Sequence, residues 1–442
     1  MKTPIASFLE KYAGEDCVRL HMPGHKGVGD IAEKYDITEI VGADSLFEAN
    51  GIICESEGYA GELFGADTFY STEGSSLSIR AMTYLVSLYA KSKGDEPLIA
   101  AARNVHKSFV SAAALIGFEV DWLTADGISY LSCRLSADDV RRYLKEARKK
   151  PTAIYITSPD YLGYTADTRE IARVCHEAGV LLMVDNAHGA YLKFLPNSEH
   201  PIDLGADMCC DSAHKTLGAL TGAAYLHISK NAPAFFKENA KSAMMLFAST
   251  SPSYLILRSL DMQNAYLKSY PKKLCSFISR LDGLKAELAE YGYTVIKTEP
   301  MKLTIAAKEF GYTGYELADK LAEAGIYSEF SDPDFLVLMP TPENSEGDLL
   351  RLSATLLSIK KKDRIAESAP RLSLPKRAIS IRDAILSSQE TVPVDSSLGR
   401  VLAQVSVGCP PAVPIIVSGE IIDENAIDAF KYYNIKFCSV VK

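Results

Sequence analysis

The stretch ValLeuLeuMetValAspAsnAlaHisGlyAla at 180–190 decides the fold: an apolar run of strand length closes on a carboxylate and a turn of small residues. A run that is apolar on both faces of the pleat is a strand covered on both sides, as in parallel sheets packed between helices. Working outward, ThrPheTyrSerThr (68–72), ProLeuIleAlaAla (97–101), AlaIleTyrIleThr (153–157) and AlaAlaTyrLeuHisIle (223–228) read the same way. Amphipathic segments separate them, such as 136–148, with Ser136 placed to cap its start and Pro151 just past its end. The alternation from about 63 to 226 predicts an α/β layer with a mostly parallel central sheet. Open sheets of this kind gather ligand groups at the C-terminal ends of their strands, and Asp185 stands at one.

A chain of 442 residues, 47% apolar and 23% charged, is enzyme-sized and folded; collagen-like, coiled-coil and disordered classes are excluded. Its net charge of −9, from 47 basic and 56 acidic residues, argues against a nucleic-acid partner. Nine cysteines, an odd number with no CxxC pair, suit a reducing compartment better than a disulfide framework. The first twenty residues have no apolar core of signal-peptide length, and no apolar run approaches a membrane span. A cytoplasmic chain with no membrane partner is expected. After about 270 the pattern becomes helix (276–292), strand (302–307), helix (314–325), strand (335–339), a smaller α+β unit. The basic stretches 359–364 and 373–377 read as a hinge before a third segment. The expected organisation is an N-terminal arm over 1–62, a large domain over 63–270, a small α+β domain over 271–365 and a C-terminal domain over 366–442.

Four clusters carry candidate chemistry. In AspSerAlaHisLysThrLeuGlyAlaLeuThrGly (211–222), Lys215 sits among small residues that could enclose its amine and keep it partly neutral, as a Schiff-base lysine requires. The plainer reading leaves that amine in solvent. Asp185, thirty positions earlier, would hold a pyridine nitrogen protonated in a pyridoxal-phosphate enzyme, or else cap the next helix. SerThrGluGlySerSerLeuSerIle (71–79) opens a helix with Ser75 and Ser76, a ready phosphate site or an ordinary N-cap; it contains neither a P-loop nor a dinucleotide fingerprint. His106, in ArgAsnValHisLysSer (103–108), could stack on a planar cofactor or cap a helix. A metal-hydrolase reading through His21, His25 and His188 is weak, because no pair shares a helix face, and no metal is expected.

Taken with HisMetProGlyHisLysGly (21–27) and SerThrSerProSerTyr (249–254), these clusters resemble the Orn/Lys/Arg decarboxylase family in its short, wingless form, from about 20 to 420. The resemblance implies the fold of type I pyridoxal-phosphate (PLP) transferases and PLP-dependent decarboxylation of arginine, lysine or ornithine. It implies that Lys215 forms the Schiff base, Asp185 meets the pyridine nitrogen and His106 stacks on the ring. Ser75, Ser76, Ser212 and His214 would hold the phosphate, Ala187 would pack beneath the ring, and Lys215 or His214 would return a proton to Cα. It further implies a role in amino-acid or polyamine metabolism and a homodimer or dimer of dimers with the site at the subunit interface.

The chain departs from the family pattern at three places. Glu73 puts a carboxylate where the phosphate turn usually has Asn, while Cys409 and Ala412 replace the Tyr and Gly of Tyr-Pro-Pro-Gly. A PLP aminotransferase or aldolase, or a weakly active PLP-binding relative, shares the same Lys, Asp and His. Arg258 is the nearest candidate for a carboxylate-gripping arginine, and Asp44 and Glu48 are candidates for a substrate's distal cation.

Overall fold

The computed structural model describes every residue except 1, 16–18, 20–21, 24–25, 27, 30–31, 126, 128 and 405–410. His21, His25 and Cys409, named above, lie outside the described residues. A seven-stranded sheet comprises β1 (Ala66–Ser71), β2 (Leu98–Ala102), β3 (Glu119–Leu123), β4 (Ala153–Thr157), β5 (Leu181–Asp185), β6 (Met208–Asp211) and β7 (Ala224–Ser229). Its order is β1-β7-β6-β5-β4-β2-β3. β4 pairs with β5 and β5 with β6 in parallel, whereas β7 runs antiparallel to both β6 and β1. β1, β5 and β6 therefore end at the same edge.

The doubly covered strands are apolar on both faces because each face is buried: Leu182, Met183 and Val184 of β5 are inaccessible, as are Ile154 and Tyr155 of β4. The expected strand ends shift by one or two residues. Two strands were not expected. β6 reads MetCysCysAsp, too short and too cysteine-rich to stand out, and β3 alternates polar and apolar residues in the manner of a half-exposed strand. The helix expected over 136–148 spans Ala137–Glu146, and Ser136 caps it by accepting from the Asp139 N–H.

By residue contacts the chain forms two compact units. The first comprises 1–99, 140–158 and 167–272, and the second 100–139, 159–166 and 273–442. The second contains an antiparallel sheet, β10-β11-β9-β8, from β8 (Val295–Ile296), β9 (Leu303–Ala306), β10 (Phe330–Ser331) and β11 (Phe335–Leu338). It also holds the pair β12 (Gln389–Pro393) and β13 (Phe437–Val441), over an apolar cluster that includes Leu402, Ile416, Ile422 and Phe430. Within it the Arg103 guanidinium meets the buried Glu420 carboxylate at 2.8 Å. The basic stretch from 360 onward is extended and without regular structure to 376.

Candidate functional site

Three turns follow β1, β5 and β6 in the first unit. The β1 turn leads into the helix Gly74–Ser92, whose first residue adopts φ +69°, a left-handed conformation that glycine reaches without cost. Ser75 and Ser76 lie in its first turn, where backbone N–H groups are unpaired by the helix. The β6 turn opens the short helix Ala213–Thr216, which carries His214 and Lys215. The two turns touch: Ser212 Oγ donates to Ser75 Oγ at 2.9 Å.

At the end of β5, Asp185 is buried, and three donors reach its carboxylate: the Tyr155 hydroxyl at 3.2 Å, the Cys210 thiol at 3.5 Å and the Ala187 N–H at 3.2 Å. Burial pushes its carboxyl above the ordinary range, against the Ala187 N–H and the positive charge of Lys215. Ala187, next along the turn, offers only a methyl group. Lys215 Nζ stands 2.8 Å from Nε2 of the buried His188. The amine of this half-buried lysine is thus tied to a buried side chain of the neighbouring turn. His214 is fixed through Nδ1 to the Ala223 carbonyl at 2.9 Å.

Of the residues expected from the sequence, Ser75, Asp185, Ala187, Ser212 and Lys215 gather around these three turns. His106 belongs to the second unit, where it caps the helix Lys107–Ile116 by accepting from the Ser108 N–H at Nδ1. The same helix start receives the Ala412 carbonyl, which accepts from the Lys107 N–H at 2.7 Å. Ala412 sits at φ +60°, a left-handed conformation at the position where the family pattern has glycine. Sequence reasoning missed His188, weighed only as a metal ligand, and Tyr155, hidden in an apolar strand. A signal for His188 was present in its position three residues beyond Asp185, on the same turn.

Several candidates are corrected. Asp44 is a helix cap: its carboxylate takes N–H bonds from Ser45, Asn50, Gly51 and Ile53 at the start of the helix Ile52–Phe64. Against the cost of partial burial, these bonds lower its pKa. Arg258 pairs with Glu10 at 3.1 Å and lies over the Tyr35 ring, a surface clasp. Glu48 is exposed in a single 3-10 turn. The Glu73 carboxylate is occupied by the Ser249 N–H at 2.6 Å, so the charge that seemed opposed to a phosphate is spent on the backbone.

Comparison with known proteins places the chain in a family. The family model described as "Orn/Lys/Arg decarboxylase, major domain" matches 3–280, and "Orn/Lys/Arg decarboxylase, C-terminal domain" matches 362–438. The chain is 31% identical over 466 residues to an arginine decarboxylase of Halalkalibacterium halodurans, covering 96% of this chain and 92% of that one. It is 29% identical over 468 residues to an arginine decarboxylase of Bacillus subtilis, with shares of 96% and 92%. Among solved structures, the Francisella novicida lysine decarboxylase superposes with a TM-score of 0.82 at 18% identity, over 100% of this chain and 81% of that chain. A serine palmitoyltransferase of Sphingomonas wittichii superposes at 0.57 and 14% identity, over 81% and 83%. At such identities the likeness is one of fold.

Proposed function

The chain belongs to the Orn/Lys/Arg decarboxylase family, and on that premise we propose that it converts arginine, lysine or ornithine into the corresponding amine and carbon dioxide. The observation that carries this reading is the Lys215 amine, 2.8 Å from His188 and close enough for its charge to act on the buried Asp185. Arginine is the first substrate to test, because four relatives matched over nearly their whole length are named arginine decarboxylase.

Pyridoxal phosphate is the cofactor of this family, and the residues fit it. A carboxylate that burial disfavours in its ionised form gains most from a cationic partner such as a protonated pyridine nitrogen. Asp185 would hold that nitrogen, Lys215 the aldehyde carbon, and Ser75, Ser76, Ser212 and His214 the phosphate. When bound, the cofactor supplies an electron sink for the pair left at Cα as the bond to the carboxylate breaks. The 2.8 Å contact between Lys215 Nζ and His188 Nε2 offers a path by which the amine would give up a proton before attack and later return one. Tyr155 and Cys210 hold the Asp185 carboxylate in place, and burial of the site excludes the water that would compete for its charge.

The reading extends to a homodimer whose partner helps to complete the site, and to a cytoplasmic setting in a polyamine or amino-acid pathway. All seven described cysteines are free, and no helix among the described residues is long and apolar enough to cross a membrane. The four-part organisation with a C-terminal domain from 366 is supported by the family match over 362–438.

The test is mass-spectrometric product analysis of the PLP-loaded protein with each of the three amino acids, using Lys215→Ala as the blank. Agmatine, cadaverine or putrescine formed by the wild type alone is the expected result. A keto acid or an aldehyde in place of an amine would move the protein to the aminotransferase or aldolase reading.

A further inference from the structure

Behind the three turns runs a buried polar chain that crosses four neighbouring strands. On β1, the Thr68 hydroxyl meets His227 Nδ1 at 2.8 Å; these two residues lie directly opposite each other in the β1–β7 ladder. His227 Nε2 donates to Asp211 Oδ2, the last residue of β6, at 3.2 Å, and His200 Nε2 donates to the same oxygen at 3.0 Å. The other carboxylate oxygen, Oδ1, takes the Asn186 side-chain amide at 2.6 Å, immediately after β5. His200, Asp211, His227 and Asn186 are inaccessible to solvent and Thr68 nearly so. Burial alone would push the Asp211 carboxyl up, but the two imidazoles hold it well below the ordinary range. It is a buried anion kept in place by its donors. Cys209 lies 3.9 Å from His200 Nε2, but both Asp211 oxygens already accept hydrogen bonds.

Such a network is costly compared with an apolar core, so its use is to specify a geometry. Two of its members, Asn186 and Asp211, lie at the roots of turns of the candidate site, and its far end, Thr68, lies within the strand that leads to the third. Asn186 adjoins Asp185, Asp211 adjoins Ser212 in the turn leading to Lys215, and Thr68 belongs to the strand that leads to Ser75. We propose that Asp211 is the positioning residue of the site, and that it sets the Asp185 and Lys215 turns in register through Asn186, His227 and Thr68. The inference rests on the reading that these turns hold pyridoxal phosphate.

The test compares the wild type with Asn186→Ala, Thr68→Val and the double variant. Apoprotein is titrated with pyridoxal phosphate, and the pH midpoint of the bound cofactor's visible band is followed, with melting measured alongside. For Asn186→Ala, cofactor binding should weaken about tenfold and the midpoint should shift, and the double variant should lose less than the product of the two single losses. If Asn186→Ala does not fold, Thr68→Val carries the test, with a loss of about threefold and a shifted midpoint. Folded variants with lower melting temperatures but wild-type affinity and midpoint would reduce the network to a structural one and overturn the proposal, as would strictly multiplicative losses. A wild type with no visible band at all would instead sink the cofactor reading and this inference with it.

Discussion

Lys215 Nζ and His188 Nε2 stand 2.8 Å apart, and this pairing joins the turn after β5 to the turn after β6 through one hydrogen bond. A lysine whose amine is bonded to an imidazole can lose its proton without exposing a bare cation or amine to the interior. His188→Gln keeps the length and one hydrogen bond but removes the titrating group. Turnover should fall by on the order of 10²-fold with KM changed far less, and the limb of the pH–rate profile set by this pair should move. A profile identical to that of the wild type would assign His188 a packing role.

The contact between Ser212 and Ser75 ties together the two turns proposed to hold the phosphate. Ser212→Ala removes one hydroxyl from a buried site and should weaken pyridoxal-phosphate retention by about tenfold, the equivalent of one hydrogen bond of about 1.4 kcal/mol. Equilibrium dialysis of the cofactor measures this directly.

In the second unit, Asp332 is buried, and burial raises its pKa to about 7 against the Phe335 and Asp334 N–H bonds that it accepts at Oδ1. Its Oδ2 has no hydrogen-bond partner among the described residues. A carboxyl with a folded pKa above its unfolded value favours the fold fully below about pH 4, and that contribution is lost as pH rises through 7. Asp332→Asn keeps the accepting oxygen and removes the titration. The variant should therefore gain stability over the wild type as pH rises from 5 to 8, by on the order of a few kcal/mol at the upper end. Thermal melts across that range check the sign; a constant difference would contradict it.

Ala412 adopts a left-handed conformation while its carbonyl accepts from the Lys107 N–H. An alanine pays for that conformation with its Cβ, so Ala412→Gly should stabilise the protein by about 1 kcal/mol, offset in part by the added freedom of the unfolded chain. A lower melting temperature would show that the methyl group, which is buried, contributes more to packing than it costs in strain.

Much of the fold was legible because β4 and β5 are nearly continuous apolar runs and β7 is mostly apolar, a pattern expected where both faces are covered. Asp185 and Lys215 were legible for a related reason: a carboxylate closing such a run, and a lysine among small residues, each violate what the local sequence would otherwise prefer. β6 was not, since four residues with two cysteines carry too little periodicity, although it is the strand that delivers Lys215. The cap made by Asp44 depends on five N–H groups converging in space, which spacing alone does not encode. The antiparallel direction of β7 was equally hidden, because a run apolar on both faces reads the same in either direction.

The account depends on Lys215 as the residue that carries the cofactor. The most direct measurement is borohydride reduction of the PLP-loaded protein, followed by proteolysis and mass mapping of the pyridoxyl group. The label should fall on the peptide that contains Lys215, at one per chain, and should vanish in Lys215→Ala. A label on another lysine, or none on a protein that still releases amine from arginine, lysine or ornithine, would contradict it.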